Sequence, residues 1–172
     1  MTIGILDKDS AAQTIRTIDD MVTTKMTAVA GSFNRPADTT AYAANDAVAD
    51  NVTAGSVTKL QWTPAQGRGT IRRVRIRKSD QTVATPTIRL YLFDATFTVG
   101  AGDNAAFAAP LQDCIGYVDV PVTSAGSDDA VGWAACSIEY HAAAIYGVLQ
   151  TRSAFTPASA ETLTVTLWEL PG

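Results

Sequence analysis

The chain has one histidine, His141, and two cysteines, Cys114 and Cys136. A histidine-rich metal site is therefore excluded, and the two cysteines lack the close pairs of a zinc site. Any Ser-His-Asp or Cys-His arrangement would have to use His141. It precedes Ala142-Ala143-Ala144 between two predicted strands, where it reads as a turn or surface histidine. Cys114 and Cys136 read as small buried hydrophobes in preference to a disulfide.

Charge is also scarce. Charged residues make up 17% of the chain, against about 25% in an ordinary globular domain. The net charge is −4, from 13 basic and 17 acidic residues, which does not suggest a dedicated nucleic-acid binder. A weakly charged surface suits a protein partly covered by neighbours. No apolar run approaches the roughly 18 residues of a membrane span. Met1 to Ser10 lacks the pattern of a secretory signal. The expectation is a protein made in a reducing cytoplasm, with no membrane partner.

Motifs for bound cofactors are missing too, and no cofactor is expected. Gln66-Gly67-Arg68-Gly69 is too short for a phosphate loop and precedes a strand, not a helix. The loop acids Asp103, Asp128 and Asp129 lack calcium-loop spacing and read as turn formers. No carboxylate pair of the kind a glycan hydrolase needs is legible. The chain reads as a non-enzyme.

What is present is β. The length, 172 residues, fits one main domain. Residues 1–26 read as an N-terminal arm with a short helix, on which Ile15, Ile18 and Val22 recur at helical spacing. Asp19 and Asp20 fall near the end of that helix where the backbone dipole disfavours acids. So short a helix is marginal alone and is expected to dock on its own or a neighbouring subunit. From Thr27 onward, runs such as Ile88-Arg89-Leu90-Tyr91-Leu92-Phe93 and Leu163-Thr164-Val165-Thr166-Leu167-Trp168 alternate as strands do. The first of these reads as covered on both faces. Glycine-rich and Asp/Ser-rich clusters separate seven to eight strands. The fold class is all-β, a jelly-roll-like β-sandwich over residues 27–172. The loop from Thr96 to Pro110 is long and rich in small residues, so it reads as a possible binding element.

The most unusual feature is basic. Arg73, Arg75 and Arg77 alternate with Val74 and Ile76, so the three guanidiniums project from one face of one strand. Such a row needs acidic partners, phosphates or a polar interface. Pairing with carboxylates of the fold or of an adjacent subunit is the favoured reading. A solvated face and nucleic-acid contact remain alternatives, the latter disfavoured because no aromatics are interleaved there. Arg73, Arg75 and Arg77, with Ile15, Ile18 and Val22 of the arm, are the candidate protein-interface residues.

Residues Tyr42-Ala43-Ala44-Asn45-Asp46-Ala47-Val48 resemble the Tyr-x-x-x-Asp-x-Val opening of a family of tailed-phage virion proteins. Ile71-Arg72-Arg73-Val74-Arg75-Ile76, Leu90-Tyr91-Leu92-Phe93, Asp103-Asn104-Ala105-Ala106-Phe107, Ile145-Tyr146-Gly147-Val148-Leu149 and Ala154-Phe155-Thr156-Pro157 follow in the same order. The resemblance runs from about Gly31 to Leu170, without the arm. It implies a head decoration, or cement, protein on the capsid surface: a homotrimer at lattice three-fold positions, bound to major capsid protein, without catalysis. The alternative is a head-fibre or tail-associated module that binds a receptor or carbohydrate. Trp62, Trp133, Tyr140 and Trp168 could serve such a module, although core packing is the first expectation for each.

Overall fold

The computed structural model describes residues 25–80, 86–125 and 129–172. The expected helix with Ile15, Ile18 and Val22 lies outside the described residues. Nine strands are present among them: β1 (Thr27–Asn34), β2 (Ala47–Val48), β3 (Leu60–Trp62), β4 (Gly69–Lys78), β5 (Thr87–Phe93), β6 (Cys114–Ser124), β7 (Ala130–Tyr140), β8 (Ile145–Thr151) and β9 (Thr162–Pro171).

Every pairing is antiparallel, and the pairs are nested. β1 pairs with β9, the split strand β2 and β3 with β8, β4 with β7, and β5 with β6. A long hairpin wound on itself gives this connectivity, which is that of a jelly roll. β9 also joins β4, and β8 joins β5. One wall is therefore β1-β9-β4-β7 and the other is β6-β5-β8 with β2 and β3. β6 links them: its residues Cys114 to Pro121 pair with β5, while Val122 to Ser124 pair with β7.

The core lies between the walls because alternate residues of each strand point inward. Val74, Ile76, Val165 and Leu167 from one wall share a single cluster with Ile88, Leu90, Leu92, Val120 and Leu149 from the other. Trp62 crosses between them, its Nε1 donating to the Val165 carbonyl at 3.3 Å. Gly147 leaves the space the indole fills: a Cβ there would lie 2.7 Å from the Trp62 ring.

The wall of β5, β6 and β8 is covered on its outer side as well. Tyr91, Phe93 and Val148 point away from the main core into a second cluster with Ala49, Val57 and Val99. Phe107 stacks on Tyr91 at 4.8 Å, and Phe97 packs on Phe93 at 4.0 Å. The long loop around residues 96–110 thus closes over the sheet. The small residues at its bend, Ala101 and Gly102, are buried, and a Cβ on Gly102 would meet the Val52 carbonyl oxygen at 2.0 Å.

Three of the segments behind the resemblance, those of Tyr42, Asp103 and Phe155, meet at this loop. Tyr42 donates from its hydroxyl to Asp103 at 2.5 Å, and the Ala49 amide donates to the same carboxylate oxygen at 2.8 Å. Backbone bonds join Ala47 to Ala105, Asn104 to Ala47 and Phe107 to Asn45. Tyr42 bridges Phe155 in the backbone and stacks on its ring at 4.8 Å. Asp103 reads as a turn former in sequence. In the fold it is buried, and its second oxygen holds Arg35 at 2.7 Å. These scattered segments share one structural task, tying the loop to the end of the sandwich.

Candidate interaction surface

The outer side of the β1-β9-β4-β7 wall differs from the covered wall. β4 carries a register shift between Ile71 and Arg73. Arg72 and Arg73 both face outward there, and strict alternation resumes with Val74, Ile76 and Lys78 inside. Arg73, Arg75 and Arg77 occupy one face, as their spacing predicts.

Pairing register sets their neighbours. One cross-strand row reads Ala28, Trp168, Arg73 and Ala135; the next reads Ala30, Thr166, Arg75 and Trp133. The third is Ser32, Thr164, Arg77 and Val131. Apart from the arginines and tryptophans, the face is built of small residues, threonines and a valine.

The three arginines part company in their partners. Arg77 pairs with Asp129 at 2.5 Å. Arg73 lies 4.0 Å from the centre of the Trp133 ring and 5.2 Å from that of Trp168. Arg75 lies 5.2 Å and 5.5 Å from the same two rings. The indoles themselves are 5.4 Å apart. Arg75 also donates to the Thr166 hydroxyl at 3.1 Å, and its buried Nε has no hydrogen-bond partner among the described residues. Among the described residues, neither Arg73 nor Arg75 forms an ion pair with a carboxylate.

Two expectations change here. Core packing holds for Trp62 and Tyr140, which are buried, but Trp133 is 43% exposed and Trp168 half-buried. And aromatics do accompany the arginines: they enter from β7 and β9. No alternation within β4 could reveal this. The signal available in sequence was phase, since Trp168 shares the outward phase of Thr164 and Thr166.

Chemically, the patch offers charged, planar donors held in place by ring contacts. A guanidinium above an aromatic face gains roughly 0.5–2 kcal/mol and keeps its in-plane N–H edge free for a carboxylate or phosphate. Other candidates are placed elsewhere. His141 is exposed at the turn between β7 and β8. Cys114 and Cys136 are half-buried free thiols; Cys136 packs against the main core, and burial raises its pKa.

No family model matches the chain, and no curated protein matches it. Among solved structures it is similar to a chain of the cyanophage Pam1 capsid asymmetric unit, at 19% identity over 86% of each chain and a TM-score of 0.36. It is similar also to the PRD1 vertex protein P5, at 15% identity over 83% of this chain and 96% of that one, with a TM-score of 0.32. A third likeness is to a structure of a marine algae virus of the order Picornavirales, at 17% identity, 100% and 82% coverage and a TM-score of 0.32. The nested strand pairing, independent of these likenesses, assigns the fold.

Proposed function

We propose that the protein is a structural component of a tailed-phage virion, a decoration protein that binds and stabilises the capsid shell as a homotrimer at lattice three-fold positions. The observation that carries this reading is the contrast between the two walls. One is closed over by the protein's own loops; the other is a strand face of small side chains with an Arg-Trp patch whose guanidiniums form no ion pair among the described residues. Such a face suits lateral contact with another protein, because aromatic residues and arginine are the side chains enriched where protein surfaces meet. The ordered resemblance to tailed-phage virion proteins supports the same reading.

Magnitude shapes the proposal. Four strands about 4.8 Å apart and about eight residues long present on the order of 500 Å². A standard interface takes about 800 Å² from each partner, so this face alone would bind weakly. A trimer that engages several capsid subunits at once gains by avidity what one face lacks. Light scattering of the purified protein, with and without empty shells, tests this. The expected result is a trimer that saturates shells at a fixed stoichiometry; a monomer indifferent to shells refutes it.

A second reading, a receptor- or carbohydrate-binding module of a head fibre or tail, is favoured by the exposed Trp133 beside Trp168. Binding to host-surface glycans that is lost in Trp133→Ala, with shells ignored, would select it.

A further inference from the structure

We propose that the Arg73-Arg75 patch is a docking site for the protein's own N-terminal segment, residues 1–24, with Asp19 supplying a carboxylate that the patch lacks. The proposal is independent of the virion reading and concerns the free protein.

Three observations carry it. The first is placement. β1 begins at Thr27 on the edge of the same wall, and its second residue, Ala28, lies in the cross-strand row of Trp168 and Arg73. The preceding segment therefore enters the fold beside the patch. Arg73 is two strands from β1, about 10 Å. The seven residues from Asp20 to Thr27 reach about 23 Å when extended and about 10 Å when helical. Either length lets Asp19, one residue further, reach the guanidiniums.

The second is charge. Residues 1–24 hold Asp7, Asp9, Asp19 and Asp20 against Lys8 and Arg16. Arg77 already has Asp129, whereas among the described residues Arg73 and Arg75 have only rings and one hydroxyl. Two adjacent guanidiniums repel each other, and a carboxylate between them relieves that. The same contact offsets the unfavourable dipole at the end of the expected helix.

The third is apolar matching. Trp133 offers 43% of its surface to solvent. A helix with Ile15, Ile18 and Val22 on one side has an apolar stripe that cannot bury itself. Laid on the patch, the stripe covers the indole while Asp19, about 70° round the helix from it, meets the arginines.

The test uses the full chain without shells, so its failure says nothing about shell binding. Trypsin cleavage after Arg16 and acrylamide quenching of tryptophan fluorescence are compared in wild type and D19N/D20N, which leaves the sandwich sequence intact. Docking predicts several-fold faster cleavage and stronger quenching in D19N/D20N, and quenching returned to the wild-type level when D19R/D20R is combined with R73D/R75D. Protection in wild type should not change on dilution. Equal cleavage and quenching in wild type and D19N/D20N overturn the proposal. Protection that disappears on dilution also overturns it, and assigns the site to the segment of a second copy.

Discussion

The Lys78 ammonium lies 2.8 Å from the Glu161 carboxylate, and both side chains are buried. Lys78 also sits 4.9 Å above the Phe155 ring, whose other neighbour is Tyr42. Burial pushes the Glu161 carboxyl above its usual range, against the pull of Lys78. Removing one charge strands the other. Lys78→Met or Glu161→Leu alone should cost about 3–5 kcal/mol, whereas the double variant should be close to neutral. Urea denaturation of the three variants measures this; three equal losses would show that packing, not charge, sets the cost.

Tyr42 and Tyr140 predict an alkaline limit to stability. Burial first, then a neighbouring carboxylate, raises both phenols above their ordinary value; Asp103 acts on Tyr42 and Glu169 on Tyr140. The unfolded chain releases these protons near pH 10, while the folded chain retains them. Their contribution is therefore full below about pH 10 and is lost as pH rises further. The urea midpoint should fall above about pH 10, and less so in Tyr140→Phe. In an absorbance titration Tyr42 and Tyr140 should stay un-ionised until the protein unfolds; ionisation of either in the folded protein contradicts this.

Gly147 is a packing requirement. Its absent side chain makes room for Trp62 at 2.7 Å and Leu90 at 2.9 Å. Gly147→Ala forces the indole out of place and should cost about 1–3 kcal/mol. Near-ultraviolet circular dichroism should lose intensity as the tryptophan environment loosens. An unchanged spectrum with unchanged stability would mean that the wall yields more easily than its contacts imply.

Trp133 separates stability from binding. It is exposed, and its main contact is the Arg73 guanidinium at 4.0 Å. Trp133→Ala should change stability by less than about 1 kcal/mol while abolishing saturable binding to shells. Thermal melts and light scattering on the same preparation check both halves. A severe loss of stability would make the ring a structural element, not an adhesive one.

Much of the β architecture was legible because strand burial repeats every two residues. Ile88, Leu90 and Leu92 alternate with Tyr91 and Phe93, and both sets are buried, one in each cluster. The outward row of Arg73, Arg75 and Arg77 followed from the same rule. The role of the 96–110 loop did not, because small residues suit an exposed binding loop and a tightly packed cover equally well. Asp103 was hidden for a related reason: its partners Arg35 and Tyr42 are remote in sequence, and no local pattern encodes that meeting.

The sequence alone determined an all-β chain, the inward and outward sides of its main strands, and the scarcity of charge and histidine. These are local properties of composition and periodicity. Tertiary structure decided which strands lie side by side, and hence that Trp133 and Trp168 flank the arginines of β4. That arrangement is set by long-range register, and register depends on which complete packing buries the core without voids, a property no short window of sequence contains.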